Sequence, residues 1–379
     1  MNKASRARRI FLFPLFLLIP SVSSVAATAD LAWLDGIGIY GGDDHCDSEE
    51  QVRTFIAKCK AHGVTILYPS LSGGSTVVWK TKLGQHYPAF QKGLDMGYDR
   101  LETLIKHAHA AGIKIYPSIA IGPASRILEG HPEWETLDRQ GRRSSETTGR
   151  SLAFSYPGAR QAKIALIMEL VNGYEIDGIM LDYCRYPENS AAEEQKYGFY
   201  GYDQPLIETC QKLYGFDPRE VPINSEKWNL FNNLRCETVA AFIGELRAAI
   251  KASGRQIRLG GFTDNDIEED ARAAGRDAGL WSRRGLVDDV FLAIYFVPIA
   301  DMPQVVQKAK SLLHPDTLLV TSLCPYRDGL KDNKEMVSAT RTQLHSGADG
   351  IWIYRSDALE GRWNGLRKSA QLVKARIRK

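Results

Sequence analysis

The sequence predicts a single (β/α)8 barrel behind a secretory leader. Three observations carry that prediction. Eight short apolar runs alternate with eight helical segments between residues 30 and 379, and near-continuous apolar runs are what parallel strands covered on both faces look like. Glycine ends several of the helices, in HGV, AGIK and SGADG, where a left-handed cap places it. Polar and aromatic residues gather just after the apolar runs, at the end of a barrel where active sites are built.

The leader comes first. MNKASRARR carries Lys3, Arg6, Arg8 and Arg9 and no acid, IFLFPLFLLIPSV is apolar, and SSVAATA supplies small residues. Basic head, short apolar middle and A-x-A-like tail make a secretory signal peptide over residues 1–29. The apolar stretch falls short of the roughly 20 residues of a comfortable membrane span, and a retained signal anchor is the alternative. The first cysteine is Cys46, so none stands at the cleavage region to carry a lipid. The mature domain, residues 30–379, is expected to be exported to the periplasm or beyond, without a membrane span of its own.

The elements follow in order. LAWLDGIGIY (31–40) is a β-rich run, and the helix over 48–62 puts Phe55, Ile56 and Cys59 on one face. VTILYPSL (64–71), a helix near 99–111, IKIYPSIAI (113–121) and a helix near 159–174 lead to a fourth strand at 177–183. A long helix, 227–252, precedes IRLGGFT (257–263), and a shorter one near 269–281 precedes VDDVFLAIYF (287–296). Helices near 301–313 and 333–346 introduce TLLVTSLC (317–324) and GIWIYRS (350–356), and a last helix spans 363–377. Long polar loops follow the third and fourth strands, at 122–157 and 184–226. An open doubly wound sheet is the rival, but IYGGDDH after the first strand is not the G-x-G-x-x-G phosphate turn of a dinucleotide fold.

Composition excludes other classes. The chain holds 48 basic and 45 acidic residues; without the four leader cations the mature domain has 44 against 45. No clustered basic surface points to nucleic acid. Six cysteines without a C-x-x-C pair make neither a disulfide scaffold nor a zinc site; pairing after export and buried free thiols stand as alternatives. One histidine, His45, stands at a strand end, where a metal hydrolase would want several. No metal or other cofactor is expected, and the oligomeric state is open.

Candidate chemistry sits at the strand ends. Tyr40 and Asp43 follow the first, Tyr68 and then Trp79 the second, and Asp182, Tyr183 and Arg185 the fourth. Asp264 and Asp266 follow the fifth, Tyr295 the sixth, and Tyr354, Arg355 and Asp357 the eighth. Aromatic rings suit the C–H faces of sugars, and two carboxyls are what glycoside hydrolysis needs. Asp182 is the first catalytic choice and Asp264 its partner. Tyr40, Asp43, Tyr68, Trp79, Tyr183, Arg185, Tyr295, Tyr354, Arg355 and Asp357 are expected to contact substrate, Arg185 by holding Asp182 ionised. Blander readings accompany these: an Asp182–Arg185 structural pair, helix caps at Asp264 and Asp266, and a surface pair of Arg355 with Asp357. Asp177, at the start of its strand, reads as structural.

YEIDGIMLDYCRYP (174–187) fits the form Y-x-[IV]-D-G-I-x-x-D-Y-x-R/F-Y-P, and the chain thereby resembles the family-10-like glycoside hydrolases, the bacterial glycosyl-hydrolase-like 10 group. HGVTILYPSLSGGSTVVW, YDRLETLIKHAHAAGIKIYPSI, HPEW and WNLFNNLRCETVAAFIGELRAAIK support the likeness in the right order. The resemblance implies an exported barrel acting on a poly- or oligosaccharide, with Asp182 on the family's strand-four acid. One departure matters: true family-ten enzymes use glutamate on strands four and seven, whereas VTSLCPY here has no carboxylate. That mechanism does not transfer, and a carbohydrate-binding or cell-envelope protein on a barrel scaffold is the competing reading. Hydrolysis of an amide or ester in an envelope polymer is a third.

Overall fold

The computed structural model describes residues 31–42, 46–74, 76–187 and 200–377; the expected leader and Asp43 lie outside them. Among the described residues, ten parallel segments pair in one sheet, and they form eight strands because two prolines each cut one in half. The strands are β1 (Ile37–Tyr40), β2 (Val64–Tyr68 with Ser70–Ser72), β3 (Lys114–Ile115 with Ser118–Ala120) and β4 (Gly178–Asp182). β5 (Arg258–Asp264), β6 (Asp289–Ala293), β7 (Leu318–Leu323) and β8 (Gly350–Ile353) complete the set. Pro69 and Pro117 bring no N–H to the ladder, so β2 and β3 pair in two instalments, Leu67 with Ile115 and Ser70 with Ser118. The Tyr116 and Ser118 amides, donating to Leu67 and Pro69 carbonyls at 2.8 Å, bridge the gap. With Ile37 beside Ile351 and Tyr40 beside Tyr68, the ring closes.

Among the described residues, eight helices flank the strands: α1 (Glu49–Ala61), α2 (Arg100–Ala110), α3 (Pro157–Gly173), α4 (Glu226–Ala252), α5 (Ala278–Arg283), α6 (Met302–Leu312), α7 (Asn333–His345) and α8 (Trp363–Ile377). Their boundaries follow from caps. Ser48 accepts from the Gln51 amide, Asp99 from Leu101 and Glu102, and Asp332 from Lys334 and Glu335, each satisfying amides the first turn leaves free. Gly63, Gly112 and Gly347, read from sequence as helix ends, take φ of +80°, +76° and +110°.

Three expectations are corrected in detail. The first apolar run is strand only from Ile37; Leu31–Leu34 is a 3-10 turn that plugs the barrel bottom, with Trp33 under the Lys114 ammonium at 4.9 Å and the Arg258 guanidinium at 5.2 Å. The helix expected near 269–281 breaks into Glu269–Ala273 and α5, because Gly275 takes φ +78° and Asp277 starts a new cap on Leu280. The long loops carry helices at Ser125–Gly130 and Gln204–Tyr214. They are stitched together by buried Asp203, which accepts from Thr136 Oγ1, the Leu137 amide and Ser155 Oγ at 2.9, 2.9 and 3.0 Å. The six cysteines are all buried free thiols. Asp177 is structural, accepting from the Ile115 amide at 2.7 Å and His109 Nε2 at 2.8 Å.

Alternation along the strands fills the barrel in layers. Tyr68, Tyr116, Met180, Phe291, Val320 and Trp352 form one buried interior cluster. Gly38, Gly178 and Gly260 make room for it: a Cβ on them would lie 2.2–2.4 Å from the rings of Tyr68, Tyr116 and Phe291. At the bottom, buried Asp289 is held by Arg258 and the Tyr116 hydroxyl.

Candidate active site

The same two-residue period that packs the interior delivers the site. On β4 the inward positions run Gly178, Met180, Asp182; on β5 they run Gly260, Phe262, Asp264. β4 and β5 are hydrogen-bonded neighbours, with Leu181 opposite Gly261, so Asp182 stands level with Phe262 and Asp264 reaches the mouth one inward position higher, both lining the same cleft. Trp352 is the floor, its ring 5.9–6.2 Å from those of Tyr40, Phe262, Tyr295 and Tyr354. Above it opens a cleft of about 180 Å3 lined by Asp182, Asp264, Arg185, Arg276, Tyr183, Phe262 and those three tyrosines.

Asp182 is half-buried. Its Oδ1 accepts the Tyr183 amide at 2.8 Å, and Ser118 Oγ lies 3.5 Å from Oδ2. Burial pushes its pKa up to about 6, against the downward pull of the Tyr183 amide, Arg185 and Arg276; the neighbouring Asp264 charge adds to the rise. The expected effect of Arg185 is present and is outweighed. Desolvation wins because the aromatic walls replace water without replacing its hydrogen bonds. Asp264 is held differently: buried Arg276 donates to it at 2.5 Å, while 44% of the aspartate side chain stays exposed. The helix-cap reading fits Asp266, which accepts from the Glu268 amide, and not Asp264.

At the end of β4 the chain makes an abrupt exit. Tyr183 takes φ +47°, and its carbonyl accepts from the Gly122 and Arg185 amides at 2.9 Å. Gly122 has to be glycine, since a Cβ there would meet the Arg185 and Tyr183 carbonyls at 2.8 and 2.9 Å. The Tyr183 ring turns outward, 50% exposed, with the Arg185 guanidinium 5.2 Å from its centre. Burial and the Asp182 charge raise the pKa of the Tyr40 phenol, which faces Ser70 and Ser118. Tyr295 is raised by burial and by its Tyr354 neighbour at 4.4 Å.

The remaining expected residues lie elsewhere. Tyr68 is a layer below the cleft, sealed among Tyr116, Phe291 and Trp352, and offers no face to a ligand. Trp79 is fully buried in the outer core. Arg355 and Asp357 form an exposed pair at 2.7 and 3.0 Å; Asp357 borders a separate groove of about 730 Å3 by Phe55 and Trp363. Reasoning from sequence missed Arg276, which falls in the break of the helix expected near 269–281, and Ser70 and Ser118, the next inward positions after Tyr68 and Tyr116. Among the described residues, no three His, Cys, Asp or Glu side chains gather as a metal site, and no helix is long and apolar enough to cross a membrane.

A family model described as Glycosyl hydrolase-like 10 matches residues 24–319. A search of curated proteins finds no match. Among solved structures the chain is similar to alpha-L-fucosidase isoenzyme 2 from Paenibacillus thiaminolyticus, with TM-score 0.61 and 16% identity over 90% of this chain and 50% of that one. It is similar to the catalytic domain of beta-amylase from Paenibacillus polymyxa, with TM-score 0.63 and 14% identity over 90% and 98%. A third is beta-galactosidase from the psychrophilic Marinomonas ef1, with TM-score 0.57 and 13% identity over 90% and 59%. The likeness is one of fold, and the chain spans half the length of the fucosidase.

Proposed function

The chain belongs to the Glycosyl hydrolase-like 10 family, and on that premise we propose that it hydrolyses an O-glycosidic bond in an oligo- or polysaccharide outside the cytoplasm. The observation that carries this reading is the pair of acids on adjacent strands, Asp182 and Asp264, at one aromatic cleft. Their surroundings push them toward different work, which is how one site runs acid and base chemistry together. Asp182, raised to about 6 by burial, holds the proton and gives it to the glycosidic oxygen. Asp264, gripped by Arg276, is the carboxylate that attacks the anomeric carbon or activates water. Which of these it does follows from the carboxyl separation in the substrate complex, about 5 Å for attack and about 6.5–9.5 Å for water. Tyr40, Tyr295 and Tyr354 give flat faces to the sugar, and Arg185 reaches its hydroxyls. Residues 1–29 would direct export, leaving Asp30 as the new N-terminus, which mass spectrometry of the exported protein checks.

The test is product release from soluble and cell-envelope glycans by the wild-type chain and by Asp182→Asn and Asp264→Asn. Release by the wild type that either substitution abolishes is the expected result. The binding-only alternative has its own motivation, since the inward position near the end of β7 is Ser322, already used by the Ile294 amide. It predicts glycan affinity that survives Asp182→Asn and no product from any glycan.

A further inference from the structure

Lys163 is the one buried lysine among the described residues, 2% exposed within α3, and the site described above makes no use of it. Its amine donates to the Pro123 carbonyl at 3.1 Å, and among the described residues no carboxylate pairs with it. Burial pushes its pKa down to about 7, and either form of the amine can donate to a carbonyl. Satisfying one neutral carbonyl does not require a lysine. A cation buried without a counter-ion is costly, and methionine, of nearly the same length, would fill the space without that cost. The use of the amine lies in what Pro123 is joined to.

Pro123 belongs to the strip Ile121, Gly122, Pro123, which leaves β3 alongside the end of β4. The Ile121 amide donates to the Asp182 carbonyl and the Gly122 amide to the Tyr183 carbonyl, both at 2.9 Å. The Tyr183 amide in turn donates to Asp182 Oδ1 at 2.8 Å. Tyr183 takes φ +47°, which is unfavourable for a residue with a Cβ, and such a conformation lasts only where its surroundings over-determine it. The strip is built to do that. Pro123 has a fixed φ, and the loop after β2 presses on it so closely that a Cβ on Gly74 would lie 2.6 Å from Pro123 Cβ. The Leu152 amide holds the Gly122 carbonyl at 2.9 Å, and Lys163 fixes Pro123 from α3. We propose that Lys163 is a positioning residue for Asp182. By holding Pro123 it fixes the Gly122 amide on the strained Tyr183 peptide, which keeps the Tyr183 amide on Oδ1 and leaves Oδ2 to present the proton. The purpose of that alignment rests on the carbohydrate reading above; the alignment itself does not.

The experiment needs no substrate. Lys163→Met removes the donor and nearly keeps the length of the side chain. Its thermal midpoint is expected to equal or exceed that of the wild type, because an unpaired buried cation is gone. The Tyr183 amide nonetheless exchanges its hydrogen about tenfold faster, a local opening without global unfolding. Burial raises the Asp182 pKa and the Tyr183 amide opposes the rise, so a loosened amide moves the Asp182 titration, followed at its carboxyl carbon by NMR, to higher pH. On any glycan the wild type cleaves, kcat falls about ten- to a hundredfold with KM little changed. Exchange and titration both unchanged in Lys163→Met overturn the proposal. A titration that moves while exchange holds also overturns it, since the lysine then acts through its charge alone. A lower midpoint with faster exchange throughout the barrel overturns it as well, as the loss of an ordinary structural bond. Absence of product from every glycan counts against the carbohydrate reading alone, because exchange and titration are read in the free chain.

Discussion

At the bottom of the barrel Asp289 lies just inside the Trp33 plug and accepts from Arg258 at 2.6 and 3.1 Å and from the Tyr116 hydroxyl at 2.8 Å. At the mouth Asp182 sits among the same residue types, arginine and tyrosine, yet receives one amide at 2.8 Å and a serine at 3.5 Å. Both acids are raised by burial. The difference lies in how the cost of burial is met. Asp289 is saturated by the protein, so its network is structure; Asp182 opens on a cleft, and in the proposed reading the group that completes it is the substrate. Perturbed acids mark function only together with that open side.

The comparison breaks most visibly if the two acids are exchanged in their effects. Asp182→Asn should lower turnover of a cleaved glycan by about 10²–10⁴-fold, the range of a lost general acid, and leave the fold intact. Asp289→Ala should do the reverse, strongly lowering the thermal midpoint, because it leaves the part-buried Arg258 without its charge partner, a loss of up to about 3 kcal/mol, the low end of the range for broken buried pairs. Loss of turnover from Asp289→Ala in a chain that melts normally would erase the distinction.

The pH dependence sharpens it. If Asp182 must be protonated in the free enzyme, kcat/KM falls as pH rises through about 6. Arg276→Met removes a cation that holds this pKa down, so the limb moves to higher pH. Asp264→Asn removes the charge that pushes it up, so the limb of any residual activity moves to lower pH. A limb that ignores both substitutions belongs to another group.

Stability offers a smaller effect of determined sign. The folded pKa of Asp182 stands above the ordinary 3.8, so the folded state favours the proton, and wild-type stability falls as pH rises from about 4 through about 6. Asparagine does not titrate. Asp182→Asn should therefore be more stable than wild type at pH 7, by on the order of 1 kcal/mol after allowance for solvent screening, with the gain disappearing below pH 4. Melting curves at pH 3.5 and pH 7 read this directly. Least of all, Arg355→Ala should cost under about 1 kcal/mol, as exposed ion pairs do, and leave kcat unchanged.

What sequence reveals follows the same divide. The barrel was legible because its rules are local: apolar runs, capping residues and the glycines at 63, 112 and 347 each act within a few positions. Asp182 was legible because it ends a strand. Tyr68 shows where the reasoning stops. It also stands next to a strand end, but Pro69 interrupts β2 and the strand resumes, so Ser70 takes the mouth position and Tyr68 drops into the interior. Counting inward positions in twos past the proline would have found this. Trp79 and Arg276 come from loops, where no period relates sequence to direction, and their opposite fates, sealed in the outer core and lining the cleft, are decided by tertiary packing alone.

The most direct test of the central claim compares Asp182→Asn on two substrates with the same sugar, an unactivated oligosaccharide and the 4-nitrophenyl glycoside. The nitrophenolate leaves without needing a proton, so a missing general acid matters far less for it. The proposed role predicts a loss of at least about 10²-fold on the oligosaccharide and a much smaller loss on the aryl glycoside. Equal losses on both substrates, or none on the oligosaccharide, would contradict it.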